Sequence, residues 1–202
     1  NVHAMQSINS FIGSQLQAHP DLFTGMAAIH PDCPDFDALI EQVRAQGFKG
    51  FKIHPDMQKF ALDEKRVMDM FAAIEGKMPI VIHTGDSRYN YSHPSQMKHV
   101  LDAFPRLVCV CAHLGGWSEW DDAYKLLADY ENVYVDTSSS LYAMTPEHVA
   151  QIIRHYSRER VMFGTDYPMW DAREELARIA AVPLTDDERE RIMGLNALEL
   201  LG

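Results

Sequence analysis

The sequence predicts an α/β chain of the (β/α)8 TIM-barrel type, shortened to about six βα units that correspond to strands three to eight of a full barrel. Three observations predict it. Short β-rich apolar runs alternate with helix-length segments, six times over, without a low-complexity break. The runs are nearly continuous rather than alternating, the signature of parallel strands covered on both faces. Most of the runs stop on a polar residue able to bind a metal or carry a proton, and in a barrel all strand ends open on one rim. An open doubly wound sheet shares the alternation, but it usually carries a Gly-rich phosphate loop after its first strand. No such loop is present.

Each element has its own signal. The chain opens at Asn1, without Met, in a helical segment with Met5, Ile8, Ile12 and Leu16 near helical spacing; His19-Pro20 closes it. The predicted strands are 23–30, 48–54 (FKGFKIH), 79–84 (PIVIHT), 107–116 (LVCVCAHLGG), 133–137 (VYVDT) and 161–168 (VMFGTDYP). After the first come Phe36, Leu39, Ile40 and Val43, spaced to line one helix face. The same stencil recurs as Val67, Met70, Phe71 and Ile74, then Met97, Val100, Leu101 and Phe104. It returns as Trp120, Ala123, Tyr124 and Leu127, and as Val149, Ile152, Ile153 and Tyr156. Thr145-Pro146 is a helix start, and Thr185 with Glu188 is a capping box for a last helix through Leu195. We expect one domain over residues 1–202 that lacks the first two barrel strands, leaving two unpaired sheet edges open to another chain.

Composition narrows the function. With 47% hydrophobic and 23% charged residues the chain reads as an ordinary soluble globular domain. A formal charge of −11 argues against a nucleic-acid or anionic-membrane surface, which needs clustered Lys and Arg. Cys33, Cys109 and Cys111 are read as reduced, which suits a cytoplasmic setting. No secretory signal and no apolar stretch of membrane-spanning length is present. A homodimer would be the commonest assembly.

Chemistry is expected at the strand ends. His83 precedes Thr84-Gly85-Asp86 and His113 precedes Leu114-Gly115-Gly116, so each imidazole sits at a strand tip beside a glycine turn. Each is either a metal ligand or a hydrogen-bonded structural histidine. Asp166, in Phe163-Gly164-Thr165-Asp166-Tyr167-Pro168, is either a ligand that also takes a proton from an attacking water or an Asx-turn before Pro168. Lys52 and His54 share a strand face, where Lys52 would hold a substrate anion or lie as a surface charge. Asp136 orients a ligand histidine or caps a turn. His30 is a lesser candidate, and Arg88, Tyr89 and Trp117 are loop residues placed to touch substrate.

Together GFKGFKIHP, PIVIHTGD, CAHLGG, VYVDTSS and FGTDYP resemble the amidohydrolase superfamily, and within it the amidohydrolase-2 branch that includes aminocarboxymuconate-semialdehyde decarboxylase and related hydrolases. The resemblance covers nearly the whole chain. It implies a barrel with a divalent metal, usually zinc, at the strand C-termini. It further implies that His83 is a ligand, that His113 is catalytic or binds a second metal, and that Asp166 is ligand and proton shuttle. The family's first-strand His-x-His pair is absent from this chain. The leading expectation is a metal-dependent hydrolase acting on an amide, ester or lactone of a small carboxylated or cyclic molecule. A non-oxidative decarboxylase on the same site is the alternative, and a metal-free, inactive shortened barrel is the third.

Overall fold

Valine, isoleucine and cysteine crowd the strands because both faces of a parallel sheet are covered, so branched side chains pack wherever they point. The structure, a computed structural model, describes residues 2–202. It contains six strands: β1 (Met26–Ala28), β2 (Gly50–Ile53), β3 (Ile80–Ile82), β4 (Cys109–Cys111), β5 (Val133–Asp136) and β6 (Val161–Met162). They form one sheet in the order β1-β2-β3-β4-β5-β6, every pair parallel. Strictly sequential order is that of a barrel wall. A doubly wound sheet reverses direction at a switch point, and this one does not.

Register carries one row of side chains across the sheet. Phe51 pairs with Ile80, Ile80 with Cys109 and Cys109 with Val133. That face also bears Ile53, Ile82, Cys111 and Val135, each at most 1% exposed. It joins the apolar faces of α2 (Phe36–Ala45), α4 (Lys65–Ile74), α5 (Pro94–Ala103), α6 (Trp120–Leu127) and α7 (Pro146–Tyr156) in one core. The stencil positions predicted for these helices are largely the ones buried, among them Val43, Met70, Phe71, Val100, Leu127 and Ile153. The opposite face carries Lys52, Val81, Val110, Tyr134 and Asp136. All three cysteines are free thiols, and burial pushes Cys111 up to about 12.

Three features of the helices depart from expectation. A single helical turn, α3 (Pro55–Gln58), follows β2 directly, with proline at its first position. The helix α8 (Ala172–Ala181) lacks the apolar stencil because Glu175, fully buried and paired with Arg178, occupies a core-facing position. The C-terminal helix does not stop at Leu195: α9 (Asp186–Glu190) passes through a π-turn at Arg191–Leu195 into α10 (Asn196–Leu201).

The sheet edges are not left bare. From α1 (Val2–Ala18), the Asn9 amide donates to the Ala28 carbonyl at 2.9 Å and accepts from the Ala28 N–H at 2.7 Å. It thus replaces a neighbouring strand on β1. At the other edge Asn196 donates to the Val161 carbonyl at 2.7 Å, and the Phe163 N–H donates to the Ile192 carbonyl at 2.8 Å. Buried backbone groups need such partners, and helix amides supply them here.

Candidate metal centre

The C-terminal ends of the strands open on one cavity of about 730 Å³. Eight of the ten residues singled out from the sequence line it: Lys52, His54, His83, Arg88, Tyr89, His113, Trp117 and Asp166; Asp136 and His30 do not. The fold therefore gathers residues 114 positions apart at one rim, as a parallel barrel wall requires.

Within that rim, three side chains form a tighter group. His54 leaves β2, Asp56 sits in the first turn of α3, and His83 leaves β3. The His54 and His83 rings stack with centroids 3.7 Å apart and 11° between planes. Asp56 Oδ2 lies 4.0 Å from His54 Nδ1 and 3.9 Å from His83 Nε2. One ligand atom from each residue falls within 4.8 Å of the others. Ligand atoms that share an ion at about 2 Å each stand no more than about 4 Å apart, so a contraction of under about 1 Å closes the group.

The chemistry of the donors fits a divalent ion. His54 Nδ1, Asp56 Oδ1 and His83 Nε2 are buried and have no hydrogen-bond partner among the described residues. Three orphaned acceptors in one place are costly in a folded protein unless something binds them. Burial holds both imidazoles neutral, as ligands must be: His54 is lowered to about 4 by burial and then by Lys52. His83 is lowered to about 2 by burial, then by His113 and His54. Asp56 is shifted upward by burial, although the Ser92 hydroxyl donates to its Oδ2 at 2.5 Å.

Asp56 was missed by sequence reading. The signal available was the His54-Pro55-Asp56 spacing: proline at the first helical position turns the chain so that the next residue points back at the strand end.

His113 stands behind this group rather than within it. His113, Leu114 and Gly115 have φ of 62°, 51° and 85°, a left-handed turn that directs the imidazole across the rim. Only glycine fits the third position, where an added Cβ would overlap the Tyr156 hydroxyl. His113 Nε2 lies 2.9 Å from His83 Nδ1, and its Nδ1 lies 3.0 Å from the Ser138 carbonyl. Asp136, at the end of β5, accepts from the His113 backbone N–H at 3.2 Å.

Asp166 also has left-handed backbone, at φ 57°. Its Oδ2 accepts from Ser139 Oγ at 2.6 Å, and Ser139 Oγ accepts from Trp170 Nε1 at 2.9 Å. Its Oδ1 accepts no hydrogen bond from the described residues.

Lys52 enters from the face opposite the core. Its ammonium has no hydrogen-bond or ion-pair partner among the described residues. Burial lowers its pKa, against the attraction of Asp136 and Asp166. Arg88 is engaged: its guanidinium makes two bonds of 2.8 Å to Asp86 and lies 4.9 Å over the Trp117 ring. Tyr89, Tyr91, Tyr142 and Trp170 complete a wall of flat rings, the last two stacked at 4.5 Å. His30 stays outside the cavity lining, with Nδ1 accepting from the Asp32 N–H at 3.2 Å. No helix among the described residues is long and apolar enough to cross a membrane.

Comparison with known proteins agrees with this fold. The family model described as Amidohydrolase matches residues 3–202. Among curated proteins, no sequence matches this chain. Solved structures match its fold. An uncharacterised TIM-barrel protein from Bordetella bronchiseptica superposes with a TM-score of 0.82 at 23% identity, over 96% of this chain and 71% of its own. A 2,6-dihydroxybenzoate decarboxylase from Rhizobium gives 0.75 at 19%, over 98% and 76%. A dihydroxybenzoic acid decarboxylase from Polaromonas, with bound manganese and the inhibitor 2-nitroresorcinol, gives 0.74 at 17%, over 98% and 74%.

Proposed function

Because this chain belongs to the amidohydrolase family, whose model spans residues 3–202, we propose that it is a metal-dependent enzyme that removes CO2 without oxidation from a small aromatic or conjugated carboxylic acid. The observation that carries this reading is the group of His54, Asp56 and His83, each with a buried polar atom that has no hydrogen-bond partner among the described residues, in one cavity with an unpaired Lys52. The ring wall of Tyr89, Tyr91, Trp117, Tyr142 and Trp170 suits a planar substrate. The decarboxylases that share the fold support this reaction over hydrolysis.

His54, Asp56 and His83 would hold the ion; two imidazoles and a carboxylate suit zinc and also manganese. A divalent ion there supplies Lewis-acid charge that polarises a substrate oxygen and acidifies water. Lys52 Nζ binds an anionic oxygen of the substrate, and desolvation strengthens that pairing. The rings exclude water and fix the substrate plane. Asp166 holds the transferred proton at Oδ1, because Ser139 already occupies Oδ2. The bond between the ring carbon and the carboxyl carbon breaks, its electron pair stays on the ring carbon, and that proton takes the place of CO2. Asp166 then regains a proton from solvent.

Hydrolysis of an amide, ester or lactone is the second reading. The free Asp166 oxygen favours it, since the same atom would accept a proton from an attacking water. The test is a product assay on the protein supplied with Mn2+ or Zn2+, using hydroxybenzoates and conjugated dicarboxylic acids beside lactones and amides. CO2 release that is lost in Asp166→Asn supports decarboxylation. Ring or amide opening without CO2 replaces it with hydrolysis. Failure to bind either ion at saturating concentration refutes the metal centre.

A further inference from the structure

The hydrogen bonds behind His83 have a fixed polarity, and that polarity decides which nitrogen of His83 faces the ligand group. A backbone carbonyl only accepts, so the nitrogen of His113 that lies 3.0 Å from the Ser138 carbonyl must carry a proton: it is Nδ1–H. A neutral imidazole carries one proton, so His113 Nε2 is an acceptor. That acceptor lies 2.9 Å from His83 Nδ1, which must therefore be the donor. His83 is then protonated on Nδ1 and presents the Nε2 lone pair to His54 and Asp56.

Two groups on the far side hold this chain in place. Asp136 Oδ1 accepts from the Ser138 N–H at 2.9 Å and also from the Ser138 hydroxyl. With its hydrogen committed to a carboxylate, Ser138 Oγ offers a lone pair to His113 Nδ1–H, from which it lies 2.9 Å. The same Asp136 oxygen accepts from the His113 backbone N–H at 3.2 Å. One carboxylate thus clamps both the loop that bears the acceptors and the residue that bears the ring.

We propose that Asp136 and Ser138 are positioning residues: through His113 they fix the tautomer of His83, so that its Nε2 lone pair points into the His54–Asp56 group. The consequence for ion binding rests on the metal-centre reading above, whereas the tautomers do not. Asp136 and Ser138 touch neither candidate ligand group directly. Their effect passes through two imidazoles, as an outer partner acts on a ligand histidine.

The experiment uses the full chain with 15N-labelled histidine, without added metal, at one pH of about 8. Long-range proton–nitrogen spectra report which ring nitrogen carries hydrogen. The expected result is Nδ1–H for both His113 and His83. In Asp136→Ala and Ser138→Ala the His113 and His83 signals shift toward a mixture of tautomers, with folding checked by circular dichroism. Ser138→Thr, which keeps the hydroxyl, restores them. Mn2+ affinity, measured by titration calorimetry, falls about 10- to 100-fold in Asp136→Ala and in Ser138→Ala, and stays near the native value in Ser138→Thr. An Nε2–H tautomer on His83 in the native protein overturns the proposal, and so do variant spectra identical to native. Expected tautomers in a protein that binds no ion would leave the positioning intact while refuting the metal centre, so the two failures are distinguishable.

Discussion

Gly115 offers a test of how the His113 turn is built. Replacing it with alanine forces a residue with a side chain to adopt φ near 85°, which costs about 1–2 kcal/mol. The new Cβ also overlaps the hydroxyl of Tyr156, a fully buried ring, and such overpacking costs about 1–3 kcal/mol more. Gly115→Ala should therefore lose about 2–5 kcal/mol. Tyr156→Phe removes the overlapping oxygen and leaves the ring carbon 3.2 Å from the new methyl, a tight but adjustable contact. On its own it forfeits one long hydrogen bond, 3.4 Å to the Leu114 carbonyl, worth about 0.5–1.5 kcal/mol. The double variant keeps the backbone cost but loses the clash, so it should be about 1–3 kcal/mol more stable than the sum of the singles. Urea unfolding of the four proteins, with equal m-values required, measures that coupling. Additivity within about 0.5 kcal/mol would refute the steric argument, and the turn that aims His113 would need another explanation.

Four further outcomes are expected. Asp56→Ala should weaken Mn2+ or Zn2+ binding by more than about tenfold, the low end even for an indirect partner of a ligand, and calorimetric titration reads it. Lys52→Met should lower kcat/KM for a carboxylate substrate about 10- to 100-fold, the loss of one charge-assisted bond of about 1.5–3 kcal/mol; an unchanged value would remove Lys52 from substrate binding. Glu188 is held down to about 2 by its hydrogen bond to Arg154. The folded state keeps it ionised, so its contribution is present above the unfolded carboxyl range near 4.5 and is lost as pH falls toward 2. Glu188→Gln should accordingly flatten the acid side of the stability profile between those values, as followed by thermal melts. Asn9→Ala strips the Ala28 N–H and carbonyl of their partner at the β1 edge and should cost about 1–3 kcal/mol; no change in unfolding free energy would mean water serves that edge equally well.

The rim residues were legible in the sequence because their positions follow from a short-range rule. An apolar run that stops on His83, His113 or Asp166 states where a strand ends, and a parallel barrel sends every strand end to the same side. The helices were legible for a similar reason: burial on one face imposes a 3.6-residue period, which α4 and α7 display in their buried residues. Asp56 escaped because its one local mark, Pro55 at the first helical position, shows that a turn of helix starts there but not that the turn meets the end of a neighbouring strand. The α8 helix escaped because a charge, Glu175, fills a buried position once Arg178 neutralises it.

What the sequence determined by itself was thus the parallel α/β wall and the set of groups available at its rim, both consequences of local periodicity and strand polarity. The tertiary structure alone decided how those groups divide. It brings His83 to His54 and Asp56, and places His113 behind His83 at 2.9 Å. It also lets Asn9 and Asn196 stand in for neighbouring strands at the two sheet edges, where bare edges were expected. These are contacts across 19 to 35 residues, set by how loops and helices pack over the sheet. A one-dimensional pattern fixes which face a residue takes, and only packing fixes which atom it meets.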